Sequence, residues 1–228
     1  KQSLDLQNGK KLMKEPWQKQ YDDKKTPWNY DNFDEDIQKF LKHNDVFSVW
    51  NYDEFDENFE NFFTNNLSKD VKDLKVIDLG CGNGAQVHHI EKLGFDVTGT
   101  DIVNVLEYDI NNFVVDDALD SKLNKKYDVL IDRGVIHNLF HLKDKRHKYF
   151  EMIANITHDE SYILLKVLSP YEARFNPTTH TGPYRFSEKQ LRNFYSGFGF
   201  ECIELKDTLF YTNLQPHLRG YFSIYKKP

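Results

Sequence analysis

A carboxylate at Asp78 and glycines at positions 80, 82 and 84 lie where an apolar run, Val76-Ile77-Asp78-Leu79, gives way to an amphipathic one. Glycines at this spacing allow a tight turn and let the backbone approach a ligand without a Cβ in the way. A helix opening directly after them presents unpaired N–H groups to whatever sits above the turn. A second carboxylate, Asp101, with Ile102 beside it, follows 21 residues after Gly80. That is the distance at which the end of the next strand can accept hydrogen bonds from ribose hydroxyls. Turn, helix and acid together point to an adenosine-containing cofactor. The dinucleotide fingerprint places its third glycine one residue later and holds a pyrophosphate at the helix N-terminus. A carboxylate at Asp78 disfavours a pyrophosphate. It suits a cofactor whose nearby end is cationic, such as S-adenosylmethionine.

A second set of reactive side chains, Asp132, Arg133 and His137, follows the apolar run Tyr127–Ile131. If that run is a strand, Asp132 closes it at the carboxyl edge, where open α/β sheets place their ligands. Arg133 would bind or acidify an anionic or thiol acceptor, and Asp132 would orient it or take a proton. His137 stands at the start of a helix, where packing or capping competes with a role as base.

These groups need strands and helices in alternation. Strands are predicted at Lys75–Leu79, Asp96–Thr100, Asn112–Val115, Tyr127–Ile131 and Tyr162–Val167. A closing antiparallel pair is expected at Glu201–Lys206 and Gly220–Tyr225. Helices are predicted at Ala85–Leu93, Lys143–Ile156 and Ser187–Phe198, the last capped by Ser187. The expected fold is α/β: a doubly wound, mostly parallel, seven-stranded sheet with a helical N-terminal extension. Residues 71–228 would form the cofactor-binding domain, with 1–70 an arm and helices covering the site. In that arm Trp28-Asn29-Tyr30-Asp31 recurs as Trp50-Asn51-Tyr52-Asp53. Phe55, Phe59, Phe62 and Phe63 then fall on one helical face, expected to pack on the sheet.

The segment Val76–Asp101 resembles motifs I and II of the class I S-adenosylmethionine-dependent methyltransferases, and the likeness extends over residues 75–226. It implies that Asp78 and Gly80 face the methionine end of the cofactor and Asp101 its ribose, with Cys81, Gly82 and Ile102 also in the cofactor site. Asp117 and Ala118 would lie beside the adenine, with Asp132 also near the cofactor and S-adenosylhomocysteine as product. Asp132-Arg133-Gly134, Arg146-x-x-Tyr149 and Gly182-Pro183-Tyr184 resemble signatures of the thiopurine methyltransferase-like branch. There Arg133, Arg146, Tyr149 and Tyr184 would meet the acceptor. Trp17-x-x-x-Tyr21 and Thr26-Pro27-Trp28 match that branch's N-terminal pattern, but Trp28 lies about twice as far from the glycine turn as the branch has it. Trp50 has the better spacing and lacks the Thr-Pro, so either tryptophan can cover the cofactor.

The resemblance implies methyl transfer to a small molecule, most readily a thiol, which ionises near pH 8.5 and needs little base. An N- or O-methyltransferase of a metabolite or macromolecule is the alternative, as is a non-catalytic S-adenosylmethionine-binding protein. The net charge of −6 leaves no basic footprint, and nucleic acid is not an expected partner. Asn176-Pro177-Thr178-Thr179 resembles the N-P-P-Y of nucleic-acid methyltransferases but follows the wrong strand. No metal site is expected, because His137 and His141 lack the adjacent acid of a helical zinc pair. Two cysteines make no disulfide framework. No run approaches the roughly 20 apolar residues that span a bilayer. No membrane partner and a cytoplasmic location are therefore the expectation, with oligomeric state left open.

Overall fold

The computed structural model describes residues 51–67, 73–140, 142–143, 145–172, 183–212 and 216–228. The first copy of the repeat, Trp28, Trp50, His141 and the 176–179 segment lie outside these residues.

The strands are β1 (Lys75–Leu79), β2 (Asp96–Asp101), β3 (Phe113–Val115), β4 (Tyr127–Arg133), β5 (Thr157–Leu168), β6 (Glu201–Phe210) and β7 (Leu218–Lys226). They form one seven-stranded sheet in the order β3-β2-β1-β4-β5-β7-β6. The first five are mutually parallel, and β7 runs antiparallel to both β5 and β6. The chain winds outward from β1 to β3, then crosses back to place β4 on the other side of β1. That reversal opens a crevice above the carboxyl ends of β1 and β4, the standard ligand position in such sheets.

Helices cover both faces, which accounts for the continuous apolar runs of the central strands. One face carries α1 (Glu57–Asn61), prolonged by a wider π turn at Phe62–Asn66, and α2 (Ala85–Lys92). The other carries α3 (Val135–Leu139), α4 (Arg146–Ile156) and α5 (Glu188–Ser196). None of the described helices is long and apolar enough to cross a membrane.

The phenylalanine stripe packs as expected. Phe59, Phe62 and Phe63 are buried against Val76, Val129, Leu164 and Phe222. Residues 55–67 thus share a core with the sheet. α5 begins in a full capping box: Ser187 Oγ accepts from Gln190 N at 3.3 Å, and Gln190 Oε1 accepts from Ser187 N at 2.9 Å. β5 starts five residues earlier than its apolar run. The extension contains a register shift, and Ser161 Oγ holds it by donating to the Tyr127 carbonyl at 2.8 Å. Periodicity does not reveal a bond of that kind.

Candidate active site

Side chains alternate faces along each strand, so Asp78, Arg133 and Lys166 project from the carboxyl ends of β1, β4 and β5 on the α1/α2 face. Asp132 and Tyr149 belong to the opposite face.

The glycine turn follows β1. Gly80 has φ +63° and Gly82 φ +56°, values that L side chains rarely adopt. A Cβ on Gly80 would lie 2.4 Å from Val135 Cγ2, so α3 closes on the turn as tightly as glycine allows. Over Gly82 lies Asn51, whose Oδ1 would be 3.1 Å from an added Cβ. The described part of the second repeat copy therefore crosses the turn.

Gly82 N donates to Asp101 Oδ2 at 2.9 Å, and Val103 N to Oδ1 at 3.3 Å. These bonds fix the carboxylate at the end of β2 with lone pairs to spare. Its surroundings, poor in water, still raise its pKa. Ile102 beside it is partly exposed. Asp116 N donates to the Asp101 carbonyl at 3.0 Å, which draws the Asp117–Ala118 loop alongside. Asp117 Oδ1 accepts from Leu119 N at 2.8 Å, and burial pushes its carboxyl up. Cys81 turns its buried thiol toward Gly99, so only its backbone faces the crevice.

Asp78 differs from the other acids. It is 2% exposed, and its Oδ1 has no hydrogen-bond partner among the described residues. Desolvation pushes its pKa up to about 8, although the charge of Arg133 pulls the other way. A buried carboxylate oxygen without a partner is costly, and a cation from outside relieves it. The ammonium of a methionine moiety fits that position. With a carboxylate at the end of β2 that could take a ribose, and a glycine turn that allows close approach, the residues present suit S-adenosylmethionine, which when bound would supply an electrophilic methyl on a sulfonium. Asp101→Ala is expected to weaken S-adenosylhomocysteine binding by about 1–3 kcal/mol, the range for charge-assisted bonds. Calorimetric titration reads this directly, and unchanged affinity would remove Asp101 from the site.

Asp132 is not where the sequence places it chemically. It is fully buried and accepts from Val135 N at 2.6 Å, from Ile136 N at 3.0 Å and from the Tyr149 hydroxyl. Both oxygens thus cap the first turn of α3. Burial raises its pKa to about 6, while the Tyr149 and backbone bonds restrain it. It stands beneath the crevice as a support for α3, neither open to a proton from the acceptor nor exposed to the cofactor. Tyr149, expected at the acceptor, is 0% exposed in the core. Arg146 lies over the rings of Phe140 at 4.5 Å and Phe194 at 5.6 Å. Tyr184 packs on Phe140 and Phe186, and its hydroxyl accepts from Gln190 Nε2 at 2.7 Å. These two enclose an aromatic cluster between α4 and α5. His137 is buried, its Nδ1 accepting from Leu168 N at 3.4 Å and its ring against Phe210.

Of the residues expected at the acceptor, Arg133 projects from the carboxyl end of β4 toward the segment that crosses the glycine turn. Its guanidinium lies 4.9 Å from the Phe210 ring and 5.9 Å from Tyr52, and it donates to the Tyr211 carbonyl. Burial lowers its pKa, opposed by Asp56 and Asp78.

Asp56 and Lys166 belong to no motif that the sequence displays. Lys166 Nζ donates to Asp56 Oδ1 at 2.6 Å, with both side chains fully buried. Arg133 Nε lies 3.6 Å from Asp56 Oδ2. A lone lysine in the apolar run Tyr162–Leu168 was the available signal, because a charge there requires a partner.

Fold and site together define a class I S-adenosylmethionine-dependent methyltransferase: the strand order with an antiparallel β7, the glycine turn and the acids at the ends of β1 and β2 all agree. The family model described as a methyltransferase domain matches residues 51–205, and the chain belongs to that family. It is a methyltransferase with S-adenosylmethionine as methyl donor. Among solved structures, a S-adenosylmethionine-dependent methyltransferase from Methanosarcina mazei is 16% identical, with TM-score 0.59 over 76% of this chain and 98% of that one. The magnesium protoporphyrin IX methyltransferase of Synechocystis, with S-adenosylhomocysteine bound, is 13% identical, with TM-score 0.62 over 85% and 99%. The 1,6-didemethyltoxoflavin-N1-methyltransferase of Burkholderia thailandensis is 13% identical, with TM-score 0.56 over 85% and 89%. At these identities the likeness shows the fold alone. No curated protein matches the chain.

Proposed function

We propose that the protein methylates a small-molecule acceptor on sulfur, as the thiopurine methyltransferase-like branch does. The observation that carries this is the division of labour after β4. Asp132 and His137 are committed to α3 and its packing, whereas Arg133 projects from the carboxyl end of β4 beneath Tyr52, beside Phe210 and Asp56. A hydroxyl or amine acceptor would need a general base. A thiol ionises nearly unaided, and a neighbouring guanidinium favours its thiolate. Methyl transfer then depends chiefly on holding thiolate, methyl and sulfonium in line.

Arg133→Lys tests this because it keeps the charge near Asp56 and Asp78 but loses the planar fork. Transfer to thiols is expected to fall about tenfold or more, with S-adenosylhomocysteine affinity within about threefold of wild type. A radiolabelled methyl-transfer screen over thiols, phenols and amines reads the acceptor class. Amines methylated in preference to thiols would overturn the proposal.

A further inference from the structure

The segment 51–56 lies across the glycine turn as a strap, and α2 fastens it by side chains. Gln86 Nε2 donates to the carbonyls of Tyr52 at 3.1 Å and Glu54 at 2.9 Å, and Gln86 Oε1 accepts from Asp56 N at 2.9 Å. Asn83 Nδ2 donates to Asp53 Oδ1 at 2.8 Å. At its end the strap drives Asp56 into the sheet, where a single carboxylate meets both Lys166 and Arg133. Tyr52 stacks on Tyr211 with centroids 5.0 Å apart, and Lys166 Nζ lies 4.6 Å from the same Tyr211 ring. Strap and β6–β7 connection therefore meet on one buried ionic cluster.

Folding alone does not account for that cluster. Phe59, Phe62 and Phe63 already dock α1, and a buried ion pair is seldom more stable than apolar residues of the same volume. We propose that Asp56 and Lys166 are positioning residues for methyl transfer. Their ion pair holds the strap closed over the cofactor turn and sets Arg133 against the Tyr211 connection. Neither residue need touch cofactor or acceptor. The pair acts through Asn51, Tyr52 and Arg133.

The test compares Lys166→Met with the double variant Asp56→Asn/Lys166→Met, in which Asn keeps the cap on α1 and no unpaired carboxylate remains. S-adenosylhomocysteine affinity is measured by calorimetry, and hydrogen exchange is followed in residues 51–56 and in β4. The double variant is expected to fold, with β4 as protected as in wild type. Its S-adenosylhomocysteine affinity should fall about tenfold, and residues 51–56 should exchange faster with the ligand present. Lys166→Met should show the same two changes wherever it folds. A double variant that binds like wild type, or one that keeps residues 51–56 protected, would overturn the proposal. Equal loss of protection in β4 would overturn it as well, since the pair would then serve the core.

Discussion

Replacing Asp78 by Asn is expected to make the protein more stable and a poorer binder of its cofactor. The carboxyl is raised from 3.8 to about 8 because it is buried, and its Oδ1 lacks a hydrogen-bond partner among the described residues. The folded protein therefore holds a proton that the unfolded chain has released, from about pH 4 to pH 8. Stability contributed by this group is full at low pH and is lost as pH rises through that window. An amide carries no such penalty. Asp78→Asn should leave stability unchanged near pH 4 and raise it by about 2–4 kcal/mol at pH 8, discounting a shift of this size for relaxation around a buried group. Urea unfolding at the two pH values measures the difference. Binding should move the other way. A cationic cofactor end needs the carboxylate, so wild-type affinity should rise by up to about tenfold per pH unit below pH 8 and level off above it. The variant should bind more weakly by about 1.5–3 kcal/mol at pH 8, with that slope gone. Wild-type affinity that is flat from pH 6 to 8 would show that Asp78 does not receive the cation.

This trade-off was partly legible in the sequence. A carboxylate before a glycine turn was visible, and so was its use for a cation. That it would be buried without a partner depends on what packs around the end of β1, which is a tertiary fact. The same distinction runs through the molecule. Strand runs, the phenylalanine stripe and the Ser187 cap are local patterns, and the structure places each close to its expected position. Asp132 and Tyr149 read as ligand contacts because each stands at a suitable position along its element. Their partners are each other and the start of α3, and spacing along the chain does not contain that pairing. Asp56 and Lys166 lie 110 residues apart and meet because the strap crosses the sheet edge. The sequence offered only half of that pair, a lysine where an apolar residue was due.

Lys166→Met alone is expected to be among the most damaging single substitutions, costing about 3–5 kcal/mol, because it leaves Asp56 buried with much of its compensation gone. For a domain of this size that lowers the melting temperature on the order of 10 °C. Burial lowers the Lys166 pKa to about 8 against the attraction of Asp56, so the ammonium itself is held at a cost. Asp56→Asn/Lys166→Met removes both charges of the pair and should recover part of that loss, with Arg133 then left to Asp78 and the Tyr211 carbonyl. Thermal melts of the two variants decide the matter. If the double variant is as unstable as Lys166→Met, the pair contributes net stability, and the fold itself explains its presence. If the double variant recovers, the chain folds nearly as well without these charges. What they supply is then read from the strap itself, in the S-adenosylhomocysteine affinity and the exchange of residues 51–56.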